Sequence, residues 1–165
     1  MEPAMLRLSK LADYAVVVLV RLSRGEAVQT APGIAASTGV PEPTVAKVLK
    51  VLSGAGLVVS QRGARGGYRL ARPLHEIAVA EAITAIDGPI ALTACVEGSG
   101  CGCEATASCP VHGKWAPVND AVRAALGAIT LADLDATILR ARPRAERPVS
   151  DAPVAAPSPS IPAAE

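Results

Sequence analysis

The sequence predicts a mainly α-helical fold with one small β-hairpin, for two reasons. Half of the 165 residues are apolar, yet only three side chains are aromatic and Phe is absent. The core must therefore be built from Ala, Val, Leu and Ile, which favours closely packed helices. Apolar residues also recur at helical spacing through most of the first half, except in one β-rich stretch interrupted by glycines.

Two helices are expected near the start of the chain. Ser9 is placed to cap the first helix, and Gly25 ends it. The apolar positions of this helix are Leu11, Ala15, Val18, Leu19 and Leu22. Thr30 can cap a second, shorter helix that Gly39 closes.

A third helix follows the second after a very short connection. Glu42 and Pro43 suit its first turn. Its buried stripe is predicted to be Val45, Val48, Leu49 and Leu52, and its opposite face carries Thr44, Lys47 and Lys50. Two short helices joined this tightly predict a helix-turn-helix, in which the second helix contacts DNA.

A basic hairpin is predicted directly after these helices. Residues 57–61 and 68–70 are β-rich, and residues 62–67 between them read RGARGG. Glycines let such a tip lie close to a phosphate backbone, or simply form a turn. A helix-turn-helix followed by a basic hairpin is the order of a winged helix-turn-helix, so Arg62 and Arg65 join Thr44, Lys47 and Lys50 as predicted DNA-binding residues.

The charge is unevenly distributed along the chain. Residues 1–72 hold ten Lys/Arg and four Asp/Glu, a net charge of +6, whereas the remainder holds six Lys/Arg and eleven Asp/Glu, a net charge of −5. A basic half is typical of nucleic-acid contact, although solvated surface charge is the common alternative.

The second half is predicted to consist of helices around a cysteine loop. A fourth helix is expected at about 79–87, and a fifth at about 115–129 carries an apolar stripe for pairing with a second copy: Val118, Val122, Leu126 and Ile129. Thr130 and Asp133 form a capping box for a last helix that reaches about Arg140. The expected organisation is 5–88 for DNA binding, 89–113 for the cysteine loop, 114–140 for dimerisation and 141–165 for a disordered Pro/Ala-rich tail.

Four cysteines, at positions 95, 101, 103 and 109, are the candidate ligands. No secretory signal is expected, since the apolar run Ala15 to Val20 is too short, and the protein is predicted to be cytoplasmic, without membrane contact. In a reducing compartment such cysteines indicate metal or redox chemistry rather than disulfides. Iron–sulfur clusters take thiolates and occasionally imidazole, which Cys95, Cys101 or Cys103, Cys109 and His112 can supply. Zinc takes the same ligands, but usually from C-x2-4-C pairs, and these gaps are five, one and five residues, so the spacing favours a cluster.

These motifs resemble one family. Residues 41–50 and 62–70 resemble the DNA-binding half of the Rrf2 family of bacterial transcription regulators, and the resemblance runs from about Met5 to Leu134. Residues 95–101, 109–115 and 119–123 are similar to the IscR-like branch that regulates SUF-type iron–sulfur assembly. The resemblance implies a homodimer that binds a pseudo-palindromic double-stranded DNA operator under the control of a cluster, with the cell's own assembly genes as the target.

The ligand register departs from this family pattern, in which five residues normally separate the second and third cysteines. Seven residues separate Cys101 from Cys109, and using Cys103 instead lengthens the first gap to seven. His112, two residues past Cys109, matches the ligand of the IscR type and favours [2Fe–2S]. Asp13 is the alternative ligand, similar to the NsrR type, whose [4Fe–4S] cluster takes a carboxylate from the other subunit.

Other functions remain as alternatives. A regulator whose cysteines form a thiol or zinc switch without iron, or an NsrR-like nitric oxide sensor, would carry the same motifs. An enzyme is disfavoured because the chain has no C-x-x-C pair, only two histidines and no cofactor fingerprint, so neither catalytic residues nor a small-molecule substrate is expected.

Overall fold

The structure, a computed structural model, describes residues 8–25, 28–94, 96 and 109–135. The described residues form α1 (Lys10–Ser23), α2 (Ala31–Thr38), α3 (Glu42–Gly54), β1 (Val58–Gln61), β2 (Gly67–Leu70), α4 (Val79–Asp87), α5 (Ala116–Ala128) and α6 (Leu131–Leu134), with a single 3-10 turn at Leu74–Glu76. The predicted mainly helical fold with one hairpin is confirmed. Among the described residues, no helix has the length and apolar character needed to cross a membrane.

The predicted helix boundaries near the start of the chain are confirmed by their caps. The Ser9 hydroxyl accepts a hydrogen bond from the Ala12 N–H (3.0 Å), and the Thr30 hydroxyl accepts one from the Gly33 N–H (3.2 Å). Gly39 ends α2 with φ of 72°, a left-handed conformation that favours glycine. Each side-chain cap stabilises its helix by about 1 kcal/mol.

The core lies around α1, which packs against α2, α3 and α4. Its largest fully buried apolar side chains are Leu19, Ile34, Leu49, Leu52, Ile77, Leu131, Val18, Val45, Val48 and Val58. The four predicted stripe residues of α3 are all buried, so this helix is held on one face and free on the other. The core therefore combines residues of both halves of the chain, and none of its fully buried side chains is aromatic.

A single bridge residue outside the two strands, Gln29, pairs with the hairpin and joins it to the rest of the fold. Gln61 pairs with Gly67 at the tip, and Gln29 forms two backbone hydrogen bonds with Tyr68, of 2.9 and 2.8 Å. A Cβ atom on Gly67 would lie 2.5 Å from the Gln29 carbonyl oxygen, and one on Gly66 would lie 2.6 Å from the Gln61 carbonyl oxygen. The two glycines are thus required by close backbone packing inside the hairpin.

The last helix is shorter than predicted. It ends at Leu134 instead of near Arg140, because Asp135 is extended (φ −72°, ψ 108°) and its buried carboxylate is paired with Arg24 at 2.7 Å. At its start the Asp133 carboxylate accepts hydrogen bonds from the N–H and the hydroxyl of Thr130, at 3.0 and 2.8 Å. The predicted tail, 141–165, lies outside the described residues.

Candidate nucleic-acid interface and cysteine loop

The exposed face of α3 carries two lysines. Lys47 and Lys50 are exposed, as predicted, whereas Thr44 is half-buried and was wrongly expected to be fully uncovered. The buried Val40 in the two-residue connection after Gly39 holds α2 against α3. This geometry presents α3 as the outer helix of a helix-turn-helix.

The hairpin adds three arginines to the same basic half. Arg62 and Arg65 are exposed at the tip, and Arg69 is exposed on β2 opposite Val59. Arg69 was not among the predicted DNA-binding residues. Its signal in the sequence was strand alternation, since it lies between the partly buried Tyr68 and Leu70.

The five cations, two lysines on α3 and three arginines on the hairpin, are available to bind an anionic partner. The ion pairs of the described part of the chain join Arg24 to Asp135, Arg72 to Glu81 and His75 to Glu76. Within those same ranges, none of the cations on α3 or the hairpin has an acidic partner. Unpaired cations spread over one helix face and one hairpin are suited to phosphate contact, which releases counterions from nucleic acid.

The base of the hairpin is joined to α4 by an ion pair. Arg72, two residues after β2, donates hydrogen bonds to the carbonyl of Glu76 (2.6 Å) and to the carboxylate of Glu81. Burial raises the pKa of Glu81. Hydrogen bonds from the Ala78 N–H and from Arg72, together with the charge of Arg72, lower it by more than burial raises it, so the pKa lies below its ordinary value. The negative charge of Glu81 is therefore favoured in the folded state.

The predicted cluster ligands are only partly described. Cys95, Cys101 and Cys103 lie outside the described residues, Cys109 is half-buried, and His112 and Asp13 are exposed. The His112 N–H donates to the Cys109 carbonyl at 3.2 Å, so the two residues share one turn. Groups of three or more potential metal ligands do not occur among the residues that are placed. The donor chemistry of Cys109 and His112, a thiol and an imidazole, fits an iron–sulfur cluster.

The base of the cysteine loop contains a polar residue that the sequence analysis did not single out. Asn119, in the first turns of α5, is fully buried. Its side-chain oxygen accepts a hydrogen bond from the Leu92 N–H (2.9 Å), and its side-chain nitrogen donates one to the Ile90 carbonyl (3.1 Å). A single Asn beside an apolar stripe is a weak signal, because sequence does not show which backbone groups it meets.

The outer face of α5 is apolar and exposed. Val118 is 48% exposed and Ile129 is 40% exposed, and Ala121 and Ala125, which share the face at helical spacing, are exposed too. The other two residues of the predicted stripe, Val122 and Leu126, are partly buried, and Leu126 packs against the core of its own chain. Periodicity alone could not separate the residue that meets its own core from those that do not.

A helix-turn-helix with a basic outer face, followed by a basic hairpin, defines a winged-helix DNA-binding protein. The family model described as an iron-dependent transcriptional regulator, Rrf2, matches residues 8–137. The chain belongs to the Rrf2 family, whose members are DNA-binding transcriptional regulators and not enzymes.

Individual relatives agree with this assignment. The regulator IscR of Escherichia coli O1:K1 / APEC is 31% identical over 131 residues, which cover 78% of this chain and 80% of IscR. The structure of T. potens IscR has a TM-score of 0.59 and 30% identity, covering 78% of this chain and 85% of that one. The structure of CymR, the global cysteine regulator of B. subtilis, has a TM-score of 0.62 and 28% identity, covering 79% and 96%. The chain is thus similar to both IscR and CymR.

Proposed function

We propose that this protein is a cytoplasmic, homodimeric regulator that binds an operator through α3 and the hairpin and responds to an iron–sulfur cluster held by its cysteine loop. Its proposed targets are genes of SUF-type iron–sulfur assembly. The observation that carries the DNA-binding part is the set of five exposed cations on α3 and the hairpin, which have no acidic partner among the described residues. The cluster part is supported by the cysteine spacing, by the donor chemistry of Cys109 and His112, and by the similarity to IscR.

Operator binding is tested by removing single cations. Lys47→Ala should weaken binding to all sequences alike if Lys47 contacts phosphate, and should reduce the salt dependence of the affinity. Arg62→Ala should cost about 1–3 kcal/mol and relax specificity if Arg62 contacts a base. Arg123→Ala, which removes an exposed cation from α5, is the matched control. Parent-like binding by both test variants across a salt series would contradict the proposed interface.

The cluster is proposed to be held by Cys95, Cys109, His112 and one of Cys101 and Cys103. When bound, it supplies a redox-sensitive and oxygen-sensitive group whose gain or loss changes the stability of the loop. Cys101 is favoured over Cys103 because it keeps the first gap at five residues, and [2Fe–2S] is favoured over [4Fe–4S]. Asp13 is the alternative fourth ligand, from the partner chain.

Iron and sulfide analysis after anaerobic purification tests the ligand set. Cys95→Ala and Cys109→Ala should each abolish the cluster, and Cys101→Ala should impair it more than Cys103→Ala. His112→Ala should leave a labile or spectrally shifted cluster. Full occupancy in the Cys101/Cys103 double variant would show that neither cysteine is a ligand, and would move the assignment towards His112 and Asp13.

The proposed dimer is formed by the apolar face of α5. This face continues into an apolar groove of about 410 Å³ between α4 and α5, lined in part by Leu8, Pro89 and Val122. A second copy is the favoured occupant because two identical apolar helix faces are self-complementary across a two-fold axis. Such a dimer places two α3 helices for two half-sites of a pseudo-palindromic operator.

A cluster-free thiol or zinc switch is the second candidate function. It is supported by the similarity to CymR, which is described as a cysteine regulator. The same anaerobic purification separates the two: a colourless protein without iron or sulfide, whose operator affinity changes on thiol oxidation or zinc addition, would favour the switch. An NsrR-like nitric oxide sensor would require Asp13 for the cluster.

A further inference from the structure

We propose that Asn119 is a positioning residue that holds the two ends of the cysteine loop together and so couples the loop to α5. Its side chain is fully buried and forms hydrogen bonds with two backbone groups of a segment far away in sequence, the Ile90 carbonyl and the Leu92 N–H. The role of Asn119 in the response to a cluster rests on the proposed function, but its hydrogen bonds do not.

The two bonds lie at the base of the loop. Leu92 precedes Cys95 by three residues, and Asn119 follows Cys109 by ten residues, of which residues 110–115 form turns and the rest form the start of α5. Leu92, near the start of the loop, is therefore attached to α5, which begins at Ala116 beyond the end of the loop.

The chain at residues 88–92 needs such an attachment. Gly88 ends α4 with φ of 86°, and residues 88–92 then run without regular secondary structure. Val96 is buried at 6% exposure, and its N–H donates to the Thr93 carbonyl at 3.2 Å. Residues 88–92 lack the regular backbone pairing of a helix or strand, so an amide side chain that satisfies one N–H and one carbonyl determines where they lie.

A purely packing role does not explain an Asn at this position. An apolar side chain would fill a fully buried helix position without the cost of removing an amide from water. The amide is satisfied only because its oxygen faces an N–H and its nitrogen faces a carbonyl, and the flipped orientation would satisfy neither. The side chain therefore specifies one position of residues 90–92 on α5.

Two variants and a control separate positioning from stability. Asn119→Ala removes both hydrogen bonds, and Asn119→Leu removes them while keeping the position filled with an apolar side chain. Leu49→Ala is the control, because it removes a fully buried side chain of α3, which lowers global stability, and Leu49 does not line the groove that residues 90–92 share with α5. All three are measured as full-length protein beside the parent, with urea unfolding to record global stability.

Hydrogen–deuterium exchange of the peptide covering residues 88–94, in cluster-free protein, is the first measurement. Both Asn119 variants should exchange about tenfold faster there than the parent, the size expected for one or two lost hydrogen bonds. The exchange of this peptide in Leu49→Ala should follow only its global stability. Parent-like exchange in Asn119→Leu would overturn the proposal, as would equal exchange in Asn119→Leu and Leu49→Ala.

The second measurement is the rate at which anaerobically purified protein loses its cluster to a chelator, recorded by absorption spectroscopy. Both Asn119 variants should lose the cluster about tenfold faster than the parent, while Leu49→Ala should lose it at the parent rate. Equal rates in the parent and the Asn119 variants would overturn the coupling. If the parent holds no iron or sulfide, the proposed cluster function fails, and the exchange experiment still decides whether Asn119 positions residues 90–92.

Discussion

The two halves of the chain differ in how completely they bury their own apolar residues. The four stripe residues of α3 are all buried, whereas on α5 Val118 is 48% exposed and the only buried residue is the polar Asn119. Trp115, at the start of α5, is also 42% exposed. The α3 side of the molecule is thus closed around a shared core, whereas α5 leaves an apolar face uncovered, which we propose a second copy covers.

The comparison also applies to charge. In the first half the exposed cations of α3 and the hairpin lack acidic partners among the described residues, while Arg24 and Arg72 are paired with carboxylates of the second half. Arg24 and Arg72 therefore attach the two halves to each other. The unpaired cations remain available for a polyanion.

The largest expected effect is on the stability of the core around α3. Leu49→Ala removes a fully buried side chain from α3, which should lower the free energy of unfolding by about 2–5 kcal/mol. Urea unfolding at two protein concentrations checks this. The loss should be the same at both concentrations if the first half is stable as a single chain, and a strong concentration dependence of the loss would contradict that comparison.

The next largest effect is on the proposed dimer, at the exposed apolar face of α5. Val118→Asp places a charge in the apolar face of α5, and an unpaired charge buried there should shift the dimer towards monomer by tenfold or more, about 1.4 kcal/mol. Sedimentation measures the shift. Gly127→Asp is the control, since a side chain at Gly127 meets open space on the opposite side of the helix. An unchanged dimer in Val118→Asp would rule out this face.

A smaller effect is expected in the hairpin. Gly67→Ala would bring a Cβ to 2.5 Å from the Gln29 carbonyl oxygen, so the backbone pairing of Gln29 and Tyr68 must shift, at a cost of about 1–3 kcal/mol. Operator affinity should fall because the arginines of the hairpin move with it. Gly54→Ala, where a Cβ meets nothing within 4 Å, should be neutral or slightly stabilising. Equal thermal stability in the two variants would contradict the packing role of Gly67.

The smallest effect concerns pH. The pKa of Glu81 is lowered in the folded state, so its contribution to stability is present above its ordinary pKa of 4.5 and is lost as the pH falls through the lower folded value. Glu81→Gln should therefore reduce stability at pH 7 and make little difference at acid pH. Unfolding of both proteins across this range measures the difference. A gap that widens towards acid pH would contradict the assigned interaction with Arg72.

Local signals made much of the fold predictable from sequence. The fourth helix was expected at about 79–87 and is Val79–Asp87, since its apolar spacing is regular and Gly88 and Pro89 interrupt it. Ser9 and Thr30 were recognisable as caps because their hydroxyls bond within one helical turn. Such features depend on residues close together in the chain.

Tertiary contacts account for what the sequence did not predict. The end of α6 depends on Arg24, which pairs with Asp135 from the other end of the fold. Gln29, which pairs with Tyr68 of the hairpin, is an isolated bridge residue, and no strand pattern surrounds it in the sequence. Leu126 and Val118 are equally apolar, and only the packing of α5 on α4 distinguishes the one that meets its own core.

The candidate site divides in the same way. Lys47, Lys50, Arg62 and Arg65 were predicted from helix spacing and the basic tip of the hairpin, and all four are exposed. Thr44 is half-buried because it lies nearer the core side of α3. The ligand set of the cysteine loop remains a prediction, since Cys95, Cys101 and Cys103 lie outside the described residues.

The proposed dependence of DNA binding on the cluster is tested most directly by one titration. Operator affinity is measured anaerobically on protein with its iron and sulfide determined, and again on the same preparation after the cluster has been removed by a chelator under reducing conditions. We predict a change in affinity of fivefold or more, the usual lower range of coupling between two sites. Equal affinities with and without iron and sulfide, or a protein that binds the operator and never holds them, would contradict the proposed function.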